Sequence, residues 1–332
     1  MRFFSYYFIG DSMLKKMSIK KLIISGIVLF SVFLICLMPS KENEKIEIKQ
    51  ELEYVDKDVN THNIFLLDSD NYLVETDIVI SETKDIEKKA KELLTALIEG
   101  SSLEDKIPSG FKSIINSETK ILSLKYNEGL IKVDFSKELM DTNIELEEKT
   151  IEAIVFTLTS IEDVKSVIIY MDGEILTKLP QSKINLPSTL DRSFGINKQY
   201  NITSYKNITK TTIYYIDKIN DNTYYVPVTK VNNDNREKIE IIVDELSSSN
   251  LYKTNLMSYL NNNTKVLSVN EDEEKMVIEF NSYIFNDIDT KDILEEVIYT
   301  ICLSINDNYN VKEVVFNVDN KEIYKTVLKS IE

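Results

Sequence analysis

Thr119–Phe135 reads TKILSLKYNEGLIKVDF, and Thr264–Phe280 reads TKVLSVNEDEEKMVIEF. Each stretch contains two short runs of alternating apolar and polar residues around a polar turn. A period of two over β-branched and aromatic residues is typical of a half-buried strand. Each stretch therefore predicts a β-hairpin, which turns at Asn127–Gly129 in the first copy and at Asn270–Glu274 in the second. Because the same hairpin occurs twice, the chain is predicted to be a tandem repeat.

The similarity between the two copies extends upstream of the hairpins. Two apolar strands are predicted at Ile64–Asp68 and Tyr72–Ile80, and they match Ile213–Asp217 and Tyr224–Val231. A helix follows each pair, because apolar residues recur there with the spacing of one buried helical stripe. The first stripe contains Ala90, Leu93, Leu94 and Leu97, and the second contains Ile239, Ile242, Val243 and Leu246.

A second helix and a further strand complete each copy. The helices are matched by aligning Ile151, Ile154, Val155 and Leu158 with Leu294, Val297, Ile298 and Ile301. The strands are Ser166–Asp172 and Glu313–Asp319, and a short closing strand is expected after each. The order strand, strand, helix, hairpin, helix, strand predicts two similar α+β domains, each with helices packed on a mixed or antiparallel sheet.

An uncharged apolar segment lies near the N-terminus. Leu22–Met38 reads LIISGIVLFSVFLICLM, which approaches the roughly 20 residues that a helix needs to cross a bilayer. Four lysines precede it, so the positive-inside rule places them in the cytoplasm and the rest of the chain outside. A secretory signal peptide is the alternative, but no small-x-small cleavage site follows the apolar run. We therefore expect a single-pass membrane protein whose domains face outside.

Lipidation stays open as a second mode of attachment. A lipobox requires a small residue just before its cysteine, whereas Cys36 follows Leu34 and Ile35. A plain N-terminal transmembrane helix is therefore favoured over a lipoprotein anchor.

The predicted organisation has six segments. They are a cytoplasmic n-region at 1–21, a transmembrane anchor or signal-anchor at 22–39, a charged tether at 40–61, a first domain at 62–178, a linker at 179–210 and a second domain at 211–326. The linker is polar, and Pro180 and Pro187 interrupt it, as expected for a connector.

The chain is strongly acidic, with a formal net charge of −16. Without the five basic residues up to Lys21 and without Asp11, 34 basic and 54 acidic residues remain, a net charge of −20 outside the membrane. Such a surface repels nucleic acid and anionic lipid headgroups, so no nucleic-acid partner is expected. With 7 glycines and no GxGxxG or GxxxxGK pattern, no nucleotide cofactor is expected either.

The histidine and the two cysteines of this chain are not expected to form a catalytic site, a metal site or a disulfide. His62 is the only histidine, which excludes histidine-dependent triads and histidine-cluster metal sites from both repeats. Cys302 lies beside the apolar stripe of the last helix, where a buried and inert thiol is expected. The two cysteines are not expected to form a disulfide.

Paired carboxylates are the remaining candidates for catalysis. Asp68 and Asp70 flank a turn, and Asp134 and Asp172 end strands; their counterparts in the second copy are Asp217, Glu279 and Asp319. A carboxylate pair can hydrolyse glycosides. A chain with 55 acidic residues produces such pairs by chance, and aspartates at strand ends commonly stabilise turns. We therefore expect no enzymatic activity and assign no catalytic residue.

One acidic loop resembles the start of a calcium-binding loop. Asn286–Asp292 reads NDIDTKD, but Lys291 and Asp292 stand where an EF-hand has its third ligand and its glycine. We expect instead a helix entry with Asp289 or Thr290 as N-cap. No metal-binding or cofactor-binding residue is assigned.

Several short motifs resemble the GerM domain. In the first copy they are Ile107–Gly110 (IPSG), Val133–Ser136 (VDFS) and Met171–Glu174 (MDGE). The second copy has Tyr225–Val228 (YVPV), Ile278–Asn281 (IEFN) and Val318–Asn320 (VDN), but it has Asn255–Asn261 in place of the Ile-Pro-x-Gly element. The resemblance covers nearly all of the chain after residue 60, in tandem.

The resemblance implies a role in sporulation or spore germination of endospore-forming bacteria. Proteins with GerM domains are membrane-attached, often as lipoproteins, and face the space between mother cell and forespore, where they are implicated in assembly. The implied function is that of a non-enzymatic scaffold whose partners are other extracytoplasmic or membrane proteins, including further copies of itself. The alternatives are an envelope accessory protein that binds a small ligand or a sensor partner, and a carboxylate-based cell-wall hydrolase.

Overall fold

The computed structural model describes residues 61–219, 222–248 and 255–328. The predicted n-region and anchor, and all of the predicted tether except Thr61, lie outside these residues. Within them, no helix is both long enough and apolar enough to cross a bilayer. All of the described residues belong to one compact unit.

The first domain contains two sheets and two α-helices. Its elements are β1 (Thr61–Leu67), β2 (Leu73–Val79), α1 (Ile86–Ala96), β3 (Ile121–Asn127), β4 (Leu130–Phe135), α2 (Ile144–Leu158), β5 (Ser166–Met171) and β6 (Glu174–Ile175). Strands β1 and β2 form an antiparallel hairpin. The other sheet has the order β3-β4-β5-β6, in which β4 and β5 are parallel and the outer pairs antiparallel.

The second domain repeats this order after a linker that contains β7 (Gln199–Asn201). Its elements are β8 (Thr209–Ile219), β9 (Asn222–Asn232), α3 (Lys238–Leu246), β10 (Val266–Asp272), β11 (Lys275–Phe280), α4 (Glu295–Asn308), β12 (Glu313–Val318) and β13 (Lys321–Val327). Its larger sheet has the order β10-β11-β12-β13 with β11 and β12 parallel. The predicted tandem of α+β domains is confirmed, and the larger sheet of each domain is mixed.

Each domain has its own hydrophobic core. The aromatic rings of Phe65 and Phe156 meet edge to face in the first core, and those of Phe280 and Phe316 do so in the second. Val74 belongs to the first domain by sequence, but it is fully buried in the second core. Burying one such side chain stabilises a protein by about 1.5–3 kcal/mol, so β2 contributes directly to the second domain.

The second helices align one turn away from the predicted match. Thr157 accepts a hydrogen bond from the Phe65 amide of β1 at 3.0 Å, and Ser304 accepts one from the Tyr214 amide of β8 at 2.9 Å. Thr157 is therefore equivalent to Ser304, and Ile154 to Ile301 rather than to Val297. The apolar stripe of a helix recurs every three to four residues, so periodicity alone could not distinguish the two alignments.

The start of α4 also differs from the prediction. The helix begins at Glu295 and its N-cap is Leu294, which lies five residues beyond Asp289 and four beyond Thr290, the two predicted caps. Asp287 accepts hydrogen bonds from the amides of Asp289 and Thr290 and thereby forms a separate turn. An aspartate that caps a turn and one that caps a helix use the same hydrogen bonds, so the sequence pattern is similar in both cases.

Candidate functional site

The strand-end carboxylates hold turns in place. Asp134 at the end of β4 accepts a hydrogen bond from the Gly173 amide at 3.1 Å, and Glu279 in β11 accepts one from the Asn320 amide at 2.9 Å. In the first copy, Asp172 and Gly173 both adopt positive φ in this turn, a pattern typical of a tight hairpin. These acidic groups thus have the same structural role in both repeats.

Asp68 and Asp217 are brought together, although the sequence places them about 150 residues apart. Asp68 is buried and accepts hydrogen bonds from the amides of Asp70 and Tyr72 at 2.9 and 2.8 Å. The Tyr224 hydroxyl lies 3.4 Å from Asp68 Oδ2 and also interacts with Asp217. Burial raises the pKa of Asp68, and the nearby Asp217 raises it further. Equivalent aspartates of the two repeats therefore share one tyrosine.

The remaining single-residue candidates show no catalytic arrangement. His62 lies half-buried on β1, where burial lowers its pKa. Cys302 is buried in α4, and burial raises the pKa of its thiol to about 12, so it is not a thiolate near neutral pH. Among the residues that the structure describes, no group of three or more histidine, cysteine or acidic side chains is placed to hold a metal ion.

The first domain contains an open cleft of about 860 Å³. It lies beside the start of α2 and the start of the linker, and its lining mixes lysine, acidic, amide and apolar side chains, including Lys112, Asp141 and Gln181. It is not a pocket between the domains, where the ligand-binding alternative would place one.

Asn197 of the linker connects the two domains. Its side chain accepts a hydrogen bond from the Leu73 amide at 2.8 Å and donates to the carbonyls of Leu73 and Pro227 at 2.7 and 2.8 Å. It thus joins β2 of the first domain to β9 of the second. Asn197 is buried with φ of 49°, a left-handed conformation that asparagine adopts more readily than most residues.

A buried ion pair anchors the linker to α2. The Lys198 ammonium lies 2.8 Å from Glu148 and 3.2 Å from Glu152, and both Lys198 and Glu152 are almost fully buried. Glu152 also accepts a hydrogen bond from the Asn197 amide at 2.7 Å. Burial raises the pKa of Glu152 to about 7, even though Lys198 opposes the shift. The linker is therefore part of the junction, by which we mean the region where the two domains contact each other.

Arg192 provides a third connection. Its guanidinium lies 3.0 Å from Asp307 of α4 and stacks over Phe156 of the first domain at 4.5 Å. The Tyr214 hydroxyl donates to the same Asp307 carboxylate at 2.7 Å. The planar guanidinium of arginine can pair with a carboxylate through its edge and stack on an aromatic ring through its face. This side chain therefore fixes α4 of the second domain against the core of the first.

The Ile-Pro-x-Gly element also lies at the junction. Gly110 has φ of 98°, and a Cβ there would lie 2.8 Å from Ile219 Cγ2 of β8. The next residue, Phe111, meets the ring of Tyr224 edge to face at 5.5 Å. Glycine is required because of both the backbone conformation and this close approach. The motif was visible in the sequence, but only the fold shows that it packs against strands β8 and β9 of the second domain.

Each domain exposes an edge strand with a bulge at the same position. Strands β3 and β10 have a neighbour on one side only. Their pairing shifts register between Ile121 and Ser123 and between Val266 and Ser268, so Leu122 and Leu267 have no pairing partner. These leucines are 50% and 62% exposed. The signal in the sequence was two adjacent apolar residues that interrupt the alternation.

Comparisons with known proteins agree with this architecture. The family model described as Germane, sporulation and spore germination, matches residues 63–177 and 212–324. The spore germination protein GerM of Bacillus subtilis (strain 168) is 27% identical over 265 residues, which cover 78% of this chain and 71% of the relative.

A solved structure is also similar across both domains. The tandem GerMN domains of the sporulation protein GerM from Bacillus subtilis match with a TM-score of 0.71 at 26% identity, covering 80% of this chain and 93% of that chain. The resemblance to the GerM domain is thereby confirmed. Since the two matches of the family model together cover more than half of the chain, the chain belongs to the Germane family of sporulation and spore germination proteins.

Proposed function

We propose that this protein is a membrane-anchored, non-enzymatic assembly protein that contacts other extracytoplasmic or membrane proteins during sporulation or spore germination. Its family membership supports the process. The observation that carries the assembly role is the repeated edge: both domains present a bulged strand with an exposed leucine at the equivalent position.

The junction supports the same proposal. Asn197, Lys198 and Arg192 connect the linker to both domains through buried hydrogen bonds and ion pairs. Two edges held in one fixed arrangement lose less entropy on binding than two edges on independent domains. Attachment to a membrane, facing the space between mother cell and forespore, would further raise the effective concentration of the edges for lateral contacts. A partner surface would carry apolar residues at its centre and basic residues at its rim.

The test compares edge variants with carboxylate variants in the sporulating host. Leu122→Glu and Leu267→Glu place charges on the two edges, whereas Asp134→Asn and Asp172→Asn remove the carboxylates of the hydrolase alternative. Asparagine keeps an oxygen for the Gly173 amide, so the turn is retained. The measurements are the yield of heat-resistant spores, the efficiency of germination, and the recovery of cross-linked envelope proteins.

We expect the edge variants to lose spore function and cross-linked partners, and the carboxamide variants to keep both. Ile288→Glu serves as the matched control, because Ile288 is 61% exposed in the loop before α4 and lies on neither edge strand. Loss of function in a folded Asp134/Asp172 double variant that keeps its partners would overturn the assembly role in favour of catalysis.

A further inference from the structure

The two edge strands differ in charge, although they are equivalent in fold. Residues 119–129, which span β3 and its turn, contain two lysines and one glutamate, a net charge of +1. The equivalent residues 264–274, which span β10 and its turn, contain one lysine and four acidic residues, a net charge of −3. Lys120 and Lys125 are exposed, and so is the whole run from Glu271 to Glu274.

Lys125 remains available for a new partner. It lies 3.7 Å from Glu87 of α1, but its side chain is 77% exposed. An exposed pair at this distance contributes little to stability and is weakened by salt. The lysine can therefore exchange Glu87 for a carboxylate of a docked strand at small cost. Glu87 also accepts a hydrogen bond from the Tyr126 amide of β3 at 3.0 Å, and a docked strand has to replace that bond.

We propose that the partner of the β3 edge is the β10 edge of a second copy of this chain. This inference rests on the proposed assembly function and names its partner. Pairing the edges covers Leu122 of one copy and Leu267 of the next with apolar surface. It also places a β3 lysine beside the acidic end of β10: Lys125 if the strands run parallel and Lys120 if they run antiparallel.

The pairing is head to tail. The like-edge alternative, β10 against β10, brings two −3 segments together and is disfavoured by charge repulsion. The β3 edge of one copy uses the β10 edge of its neighbour and leaves one edge of each kind at the ends. A contact between two different surfaces adds copies in one direction, in contrast to a symmetric dimer that stops at two.

Site-specific disulfides test the contact directly. Ser123 and Ser268 are exposed on β3 and β10 next to the bulges. Full-length copies in detergent, in a Cys36→Ser background and with two different tags, carry Ser123→Cys or Ser268→Cys. The native Cys302 is buried. Mild oxidation should join Ser123→Cys copies to Ser268→Cys copies, and neither variant to itself; a chain with both substitutions should form a ladder.

The control replaces Ser123→Cys with Ser81→Cys, an exposed serine after β2. A mixed product no more abundant than this control, or one matched by the like-with-like products, would overturn the head-to-tail contact.

Charge exchange provides an independent test. Lys120→Glu with Lys125→Glu, or Glu271→Lys with Asp272→Lys, should weaken self-association at least about tenfold in sedimentation velocity. All four substitutions together should restore it, because each contact again joins opposite charges. Lys88→Glu with Lys91→Glu changes the charge equally on the exposed side of α1 and should have no effect. Failure of the four-substitution chain to regain association, while its thermal unfolding is unchanged, would reject the pairing.

The two proposals fail in different ways. If the edge variants abolish spore function but Ser123→Cys and Ser268→Cys copies show no mixed cross-link, the edges contact another protein. The assembly role then stands and the copy-to-copy contact is rejected. If the mixed cross-link forms but edge variants sporulate and germinate normally, the contact stands and the assembly role is rejected.

Discussion

The Asn197 side chain exchanges hydrogen bonds with both backbone groups of Leu73, at 2.8 and 2.7 Å. Leu73 lies in the first domain and Asn197 in the linker, so a side-chain amide takes the place of a neighbouring strand. With its third bond to Pro227, this one residue satisfies buried backbone groups in both domains.

Asn197→Ala should therefore lower the free energy of unfolding by about 3 kcal/mol. The substitution leaves three buried backbone groups without partners, and each costs about 1–3 kcal/mol before the structure relaxes. Urea unfolding measures the loss. Asn207→Ala is the matched control, since Asn207 has a similar φ of 55° but is exposed; it should cost about 1 kcal/mol from backbone strain alone. Equal losses for the two variants would show that the bonds to Leu73 and Pro227 contribute nothing.

Arg192→Met should destabilise the protein by about 3 kcal/mol. It removes the partner of Asp307, whose side chain is 4% exposed, and a buried carboxylate left unpaired typically costs 3–5 kcal/mol. Arg236→Met is the control, because Arg236 pairs with Asp234 and Asp244 at the surface; an exposed pair contributes about 0–1 kcal/mol. Chemical denaturation of both variants checks the contrast, and similar losses would contradict it.

The helix hydroxyls that accept hydrogen bonds from the first strand of each domain should contribute equally to the free energy of unfolding. Thr157→Val and Ser304→Ala each leave a buried strand amide, that of Phe65 or Tyr214, without an acceptor. We expect a loss of about 1–3 kcal/mol in each case. Thr95→Ala removes an exposed hydroxyl that bonds only to its own helix and should change stability by no more than about 0.5 kcal/mol. A large loss in one domain only would argue against the alignment of Thr157 with Ser304.

The protein should be more stable near pH 5.5 than near pH 8. Burial raises the pKa of Glu75 and of Glu152 to about 7, from the ordinary value of 4.5. Between these values the folded state binds more protons than the unfolded state, so stability falls as pH rises through about 7. Below about pH 4 the trend reverses, because Asp234, Asp244 and Glu313, whose pKa values are lowered by cationic partners, become protonated.

Urea unfolding at pH 5.5 and pH 8 tests this dependence. Glu75→Gln and Glu152→Gln should each flatten the slope, because each removes one titrating group. Glu82→Gln, at an exposed position after β2, should leave the slope unchanged. Slopes that stay the same in both buried variants would contradict the assignment.

Protease treatment of intact protoplasts tests the predicted topology. With Leu22–Met38 as the anchor and the lysines inside, both domains should be digested while a cytoplasmic marker remains intact. Protection of the domains equal to that of the marker would reject this orientation.

Short-range pattern was enough to predict the repeated elements. Local periodicity predicts the alternation along β4 and β11 and the buried stripes of the helices. Each of these predictions is supported by the matching pattern in the other repeat. The junction was beyond such reasoning. Asn197 and Arg192 lie in a polar linker without any period, and their partners Leu73 and Asp307 are more than 100 residues away in sequence. Only packing decides which distant groups a buried amide or guanidinium will satisfy.

The close approach of Gly110 to Ile219 makes the two repeats structurally non-equivalent. The first repeat has Gly110 where β8 of the second repeat ends, whereas the second repeat has the segment Asn255–Asn261 in that place. The two repeats are therefore similar in fold but not interchangeable modules. A chain built from two copies of the second repeat would lack the glycine against which Ile219 packs.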